Sequence, residues 1–522
     1  MLRYLFAALS GALYFLGFAG FGIWPLAFVA LVPMLWVLDP QGAQGSLFAR
    51  GSEAGLPPTR RQILGVGFVA GLVMNYGGYY WIADTLQAFS GFSVVVCVLL
   101  TTIVCAYQAL ALVLFAWLYH KARGWGANNM VAAIVAMCFS EWFFPELFKH
   151  YFGASLHNVP LAMQVADLGG PLLLSGLLTA ANVGVYTLAQ NLRSHVGERR
   201  NISVALALWT ATLLYGAYRI HEVDARSAAA PKIRVGMVQT NMGLTQKRED
   251  PREGLNRHIE QTLDLEREQH LDLLVWPESA FGWFLPESIT NVRDAVFHGE
   301  FSTPTLFGGL SQRKNGDKLE AFNTAFMTDA DGSIVGTYDK TFLLAFGEYL
   351  PFGDVFPVLY KMSPNSGRFT AGRHVKPLPL GPYRIGVLIC YEDILPSFVS
   401  EAVRLGNPHL LVSIANDAWF GDTHAPWEHF ALATLRAVEH HRALVRSTNS
   451  GVSSVVDPVG RMVRTSGTFT RENLSAEVPM LEGETVYLYV GDFPGYLSLA
   501  ALLGYGFVAY RKRRRESAAT TA

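Results

Sequence analysis

Apolar positions run in long uncharged stretches through the first two hundred residues and again near the end, and in short alternating runs between. Residues 4–38 carry no charge and break at GFAGFGIWP, which reads as two short helical spans joined by a tight turn. Residues 62–82, 92–119, 127–140 with an aromatic tail, 169–190 and 202–218 continue the pattern, and 493–510 adds a last stretch before RKRRR. About 20 apolar residues cross the hydrocarbon as a helix, so the pattern predicts eight transmembrane helices, seven before a polar middle and one after it. Arg3 ahead of a run rich in small residues has the form of a cleaved signal, but the spans behind it favour a retained first helix.

The polar middle holds most of the charges and alternates between periods. KIRVGMVQTN is a strand, HIEQTLDLEREQH a charged helix with one apolar face, and LDLLVWPESA and TPTLFGGLSQR are buried strands. FNTAFMTDADGSIVGTYDK has the form of a hairpin turning at DADG. A helix over 395–405, the strand HLLVSIANDAWF, a helix over 427–442 and the strand pair ALVRSTNSGVSSVVDPVGRMV follow. Strands alternating with helices and hairpins predict a layered α/β domain.

A composition of 51% hydrophobic and 16% charged residues fits the membrane reading, and a net charge of -1 gives no pull toward nucleic acid. Basic residues sort by connection: Arg50, Arg60 and Arg61 in one, Lys121 and Arg123 in the next alternate one, Arg193, Arg199 and Arg200 in a third, then residues 511–515. The intervening connections hold only Lys149. The basic side is cytoplasmic. The expected organisation is a membrane domain over 1–220, an extracytoplasmic catalytic domain over 221–491, the eighth helix over 492–511 and a basic cytoplasmic tail over 512–522.

Cys97, Cys105 and Cys138 lie in spans, where a thiol packs as a small hydrophobe. Cys390 ends the apolar run RIGVLICYEDI and has no partner, although a stabilising cysteine outside the cytoplasm would be paired. It is either an inert buried thiol or a reactive one. Two other apolar runs close on polar residues: LLVWPESA on Glu278 and SIVGTYDK on Lys340. Taken singly these are ordinary loop charges. Together, a thiol, a carboxylate and an ammonium on rigid strand ends would supply a nucleophile, a base and a cation.

Other signals carry less. His424, His429, His440 and His441 lack HExxH spacing, and His440 and His441 point to different helix faces, so no metal is expected. GVGFVAG at 65–71 sits inside a span, where small residues serve helix packing rather than a dinucleotide. There is no P-loop and no GxSxG elbow, and no cofactor is expected. Asp84, Glu141, Glu146 and Asp167 fall at span ends, where they would touch headgroups or be solvated; they are the sole basis for an alternative reading as a transporter.

Glu278 in WPES, Lys340 in YDK and Cys390 in CYED, in that order, resemble the Glu-Lys-Cys triad of the nitrilase superfamily. Seven spans before such a domain and one after it resemble bacterial apolipoprotein N-acyltransferases over the full chain. The resemblance implies an αββα sandwich and transfer of a fatty acyl chain from a phospholipid to the N-terminal amine of a diacylglyceryl-cysteine apolipoprotein, in the bacterial inner membrane. It also implies supporting roles for Glu348 in FGEYLPFG and for Tyr391 and Glu392. After VQTNMG the chain reads LTQKRED, where some members carry a tryptophan, so that contact is unassigned. Oligomeric state is left open, with a monomer as the default.

A thiol of ordinary pKa about 8.5 is mostly protonated at neutrality and needs a base or a cation beside it. Glu278 would take the proton, and Lys340 would favour first the thiolate and then the oxyanion. One such donor is worth about 3–4 kcal/mol. A thioester on Cys390 would then pass to the amine in ping-pong fashion. Water must be kept out, and FGWFLP, TFLLAF, VFPVLY and DAWFG are apolar loops suited to lining an acyl cavity or entering the interface. The enzyme-class alternative is a membrane-tethered amidase or nitrilase acting on a small amide.

Overall fold

A computed structural model of the chain describes residues 1–18, 20–39, 58–194, 198–243, 250–345, 347–362 and 366–521. Arg50 and most of the LTQKRED stretch lie outside them. The chain forms two compact units, one of Met1–Tyr80, Val98–Arg219 and Tyr489–Ala522, the other of Trp81–Cys97 and Ile220–Leu488.

The first unit is helical wherever the sequence places an apolar stretch. Leu2–Gly17 ends at the predicted break, and Trp24–Phe28 and Val32–Leu38 follow it. Arg60–Tyr79, Val94–Gln108 with Leu110–Gly124, Asn129–Phe143, Ala166–Ser194, Arg199–Ala229 and Phe493–Thr521 account for the rest, several of them running past the unit's bounds. Among the described residues, three helices are long and apolar enough to cross a membrane, Val94–Gly124, Ala166–Leu192 and Phe493–Thr520, or four if Arg60–Tyr79 and Ile82–Ala88 count as one bent span. Leu2–Gly17, Trp24–Leu38 and Asn129–Phe143 are apolar but shorter.

The small-residue stretch at 65–71 packs as its composition predicts. A Cβ on Gly67 would lie 2.7 Å from the Leu112 carbonyl, and one on Gly71 would lie 2.6 Å from that of Ala109. Only hydrogen fits where two helix backbones approach so closely.

The span-end acids correct an expectation. Glu141, Glu146 and Asp167 are buried, not solvated. Asp167 accepts from Tyr215 at 2.8 Å and pairs with Arg219 at 2.8 Å, and Glu141 accepts from the Phe152 backbone at 2.8 Å. The irregular backbone after Asn129–Phe143 leaves amides that need acceptors, and a carboxylate meets that need out of reach of water. Asp84 alone is exposed.

The second unit is built on two sheets. The first runs β13 (Glu472–Pro479), β1 (Lys232–Gln239), β2 (Leu273–Val275), β4 (Thr305–Asn315), β5 (Lys318–Thr328) and β6 (Ile334–Asp339), with β3 (Phe284–Leu285) on β4. The second runs β12 (Met462–Thr465), β11 (Ser454–Val456), β10 (Ala443–Thr448), β9 (Leu410–Ala415), β8 (Tyr383–Ile389) and β7 (Leu378–Leu380). One core holds Val235, Met237, Val275 and Met327 of the first sheet with Val387, Ile389, Val412 and Val445 of the second. It also takes in Val399 and Val403 of helix Pro396–Gly406 and Phe430 and Ala433 of helix Ala425–His440, while Leu255 and Ile259 of helix Pro251–Glu268 join Leu274 and Phe307 in another core on the first sheet. The layers are therefore helix, sheet, sheet, helix, the αββα order the resemblance implies.

The close packing at 65–71 generates a test. Gly71→Leu forces several heavy atoms into a space that admits none and should cost about 1–3 kcal/mol or more, read as a lowered unfolding temperature and a poorer yield of monodisperse protein in detergent.

Candidate active site

Three segments leave the sheets toward one place. After β2 the chain turns through Trp276 and Pro277 to Glu278; the fully buried Trp276 donates from its indole to Thr262 Oγ1 at 3.0 Å and anchors the turn. The β5–β6 hairpin pairs Thr324 with Asp339, so the Lys340 amide donates to the Asn323 carbonyl at 2.8 Å and the two residues stand side by side. β8 stops at Ile389, and Cys390 opens the short 3-10 turn Cys390–Ile394 with φ of 55°. A non-glycine residue in that region is strained and persists only where its surroundings hold it.

Glu278, Lys340 and Glu348 meet directly. Lys340 Nζ is 2.8 Å from Glu348 Oε2 and 3.5 Å from Glu278 Oε1, and Lys340 is 1% exposed. Asn323, which sequence reasoning passed over, spends its amide on both acids, donating to Glu278 Oε1 at 2.6 Å and Glu348 Oε1 at 2.9 Å. Its signal in the sequence was an amide inside the mostly apolar strand run FNTAFMT. The Leu344 amide fixes the second oxygen of Glu348 at 2.8 Å.

Glu392 ties the Cys390 turn to the loop that follows Lys340. Its Oε2 accepts from the Ile389 amide at 2.8 Å, and its Oε1 accepts from Tyr338 at 2.8 Å and from the amides of Thr341 at 2.7 Å and Phe342 at 3.0 Å. Burial pushes the Glu392 carboxyl up to about 7 against these donors. Tyr391 lies between Cys390 and Glu392 in the turn, partly exposed.

Electrostatics connect the sulfur to this cluster. Burial depresses the Lys340 ammonium, but Glu348, Glu278 and Cys390 outweigh it and hold the side chain well above the ordinary lysine value. Burial raises the Cys390 thiol, Glu278 raises it further, Lys340 opposes, and Asp417 and Glu348 add to the rise, so the thiol stays well above its ordinary value. These surroundings favour the protonated thiol over the thiolate. Cys390 is buried, at 8% exposure.

Cys390 Sγ also stands within 4.8 Å of a carboxylate oxygen of Asp417 and a ring nitrogen of His429. This donor set is ill suited to a metal. Both nitrogens of His429 and both oxygens of Asp417 are already committed in three contacts within the protein, so an ion could enter only by breaking into them. The loops split in two. Phe281 is 1% exposed core, whereas Phe342, Phe352 and Phe356 are 48%, 74% and 56% exposed. Beside Lys340, a cavity of about 500 Å³ is lined by Phe342, Leu343, Tyr349, Leu350, Tyr360 and Arg368 among others.

Two substitutions test this geometry. Asn323→Asp sets three carboxylates against one lysine and removes two charge-assisted hydrogen bonds worth about 1.5–3 kcal/mol each, so single-turnover rates should fall at least tenfold. Glu392→Gln turns an amide N–H toward a backbone donor. It should lower stability by about 1–3 kcal/mol, read by thermal unfolding, and slow the reaction by loosening Cys390 against Lys340.

Comparison with known proteins bears on this arrangement. The family model for the apolipoprotein N-acyltransferase N-terminal domain matches residues 10–184, and that for carbon-nitrogen hydrolases matches 234–486. An apolipoprotein N-acyltransferase of Geobacter metallireducens is 29% identical over 98% of this chain and 96% of its own. One of Rhizobium meliloti is 30% identical over 87% of this chain and 86% of its own. Among solved structures, Nit3 of Saccharomyces cerevisiae, a nitrilase-superfamily member, aligns with 50% of this chain and 93% of its own at 18% identity and a TM-score of 0.37. The two models in this order on one chain, with relatives matched along nearly their whole length, make the chain a member of the apolipoprotein N-acyltransferase family within the nitrilase superfamily.

Proposed function

We propose that the chain is the acyltransferase of bacterial lipoprotein maturation, moving a fatty acyl chain from a phospholipid to the N-terminal amine of a diacylglyceryl apolipoprotein through a thioester on Cys390. The observation that carries this reading is the buried Glu278–Lys340–Glu348 cluster, whose charges act on the buried thiol of Cys390 in its strained turn. Full-length relatives bearing the acyltransferase name support the substrate classes.

In the first half-reaction the Cys390 proton passes to Glu278 as sulfur attacks the ester carbonyl. Lys340 stabilises the oxyanion, the C–O bond breaks, and the lysophospholipid leaves with a proton from Glu278. In the second half, the lipoprotein amine gives a proton to Glu278 and attacks the thioester, and Cys390 departs as a thiol. Glu348 and Asn323 hold Lys340 and Glu278 at fixed spacing through both halves, and Glu392 keeps the nucleophile turn in register. A pocket of about 500 Å³ in the loop that follows Lys340 falls within the roughly 300–1,000 Å³ that small ligands occupy. The exposed Phe342, Phe352 and Phe356 suit contact with lipid.

The same reading takes the chain as an eight-span inner-membrane protein with bounds at 1–220, 221–491, 492–511 and 512–522. The basic connections are then cytoplasmic and the catalytic domain periplasmic.

Intact-mass analysis after exposure to phospholipid vesicles should show a gain of one acyl group on the peptide containing Cys390, released by hydroxylamine and absent from Cys390→Ser. Release of free fatty acid without acceptor and without a thioester would point instead to a hydrolase, and acyl transfer surviving in Cys390→Ala would end the proposal.

A further inference from the structure

Behind the sulfur, four charged side chains that the reaction scheme leaves unused close into a ring. His429 lies between two carboxylates, with Nδ1 2.9 Å from Asp417 Oδ1 and Nε2 2.9 Å from Asp393 Oδ1. Arg446 completes the circuit, with Nε 3.2 Å from Asp393 Oδ2 and Nη2 3.2 Å from Asp417 Oδ2. Each comes from a different element: Asp393 from the turn Cys390–Ile394, Asp417 from the turn Asp417–Phe420, His429 from helix Ala425–His440 and Arg446 from β10. All four are buried, and Gly451 makes room for the ring, since a Cβ there would lie 2.0 Å from Asp417 Oδ2.

A histidine that donates from both nitrogens carries both protons and a positive charge. The ring therefore holds two positive and two negative charges and is neutral as a whole. It touches the reaction at two points. Asp393 sits three residues after Cys390 in the same turn, and Asp417 and His429 both approach the sulfur within 4.8 Å.

We propose that this ring is the positioning device of the nucleophile: Asp393 fixes the Cys390 turn, and the charge of His429 cancels that of Asp417 beside the sulfur so that a thiolate can form there. The inference rests on Cys390 as the acyl carrier and makes His429 a positioning residue. The need for it follows from the local charges. Glu278, Asp417 and Glu348 all oppose a thiolate, and Lys340 is already shared between two acids. Burial depresses His429, but Asp393 outweighs it, and Asp417 assists against Arg446, holding the imidazolium at about 9. Facing it are Asp393, Asp417, Arg446 and Cys390; Glu428, its neighbour in the helix, lies buried against the Trp81 indole at 3.4 Å.

Two variants of opposite charge effect test the ring in the full-length enzyme. The rate of Cys390 alkylation by iodoacetamide is followed against pH by peptide mass spectrometry, with thermal unfolding measured alongside. His429→Gln should move the midpoint to higher pH by about one unit or more, and Asp417→Asn should move it to lower pH. Shifts in the same direction, or none in either variant, overturn the proposal, because structural damage alone has no reason to alternate in sign. If His429→Gln does not fold, Asp417→Asn decides by itself, an acid shift supporting the ring and an alkaline or absent shift refuting it. The wild-type thioester assay reports separately on Cys390 as acyl carrier, so failure of that reading and failure of this one are distinguishable.

Discussion

The catalytic unit depends on one buried lysine shared between two carboxylates. Lys340 is 1% exposed, and an ammonium taken that far from water costs several kcal/mol unless it is paired and hydrogen-bonded. Glu348 and Glu278 supply that compensation, and Asn323 donates to both acids, which would otherwise repel one another across the same cation. Removing Lys340 would leave two carboxylates without a counter-charge in the core, so this lysine is a condition of local order.

Cys390 is held by a second set of contacts, joined to the first through Glu392. Cys390 adopts a left-handed backbone conformation that costs on the order of 1–3 kcal/mol, and Glu392 grips the turn from below while also accepting from the loop that follows Lys340. The two sheets thus exchange more than apolar contacts. A carboxylate of the second sheet's turn is coordinated by amides of the first sheet's hairpin exit, which couples the position of the sulfur to that of the lysine. The ring of Asp393, His429, Asp417 and Arg446 adds a third set on the far side, built from elements of the second sheet and its helices.

Polar groups in the helical unit follow the same accounting with different partners. Asp167 satisfies Tyr215 and Arg219, and Glu141 satisfies a backbone amide where the helix gives way. Asp167 and Glu141 therefore have structural work within the helical unit. The glycines at 67 and 71, by contrast, act through what they lack, allowing backbones to meet where no side chain fits.

The sequence by itself determined much of the layout. Uncharged stretches became helices, the hairpin turned at DADG, and Glu278, Lys340 and Cys390 stood out because a polar residue closing an apolar run is visible within a few positions. β13 escaped notice because only Leu474 and Val478 on it are buried; its pairing with β1 joins segments more than two hundred residues apart, and no local periodicity reports such a partner. Asn323, Asp393, Asp417, His429 and Arg446 escaped as site residues for the same reason, although an arginine inside the wholly buried strand ALVRST is a local sign that some distant acid must meet it. Burial and strand ends are written in short-range patterns because they depend on each residue's own affinity for water. Which charges neutralise one another is decided only when the sheets close, because a Coulomb contact in a low-dielectric core depends on distances of a few ångströms between parts of the chain that know nothing of each other until then.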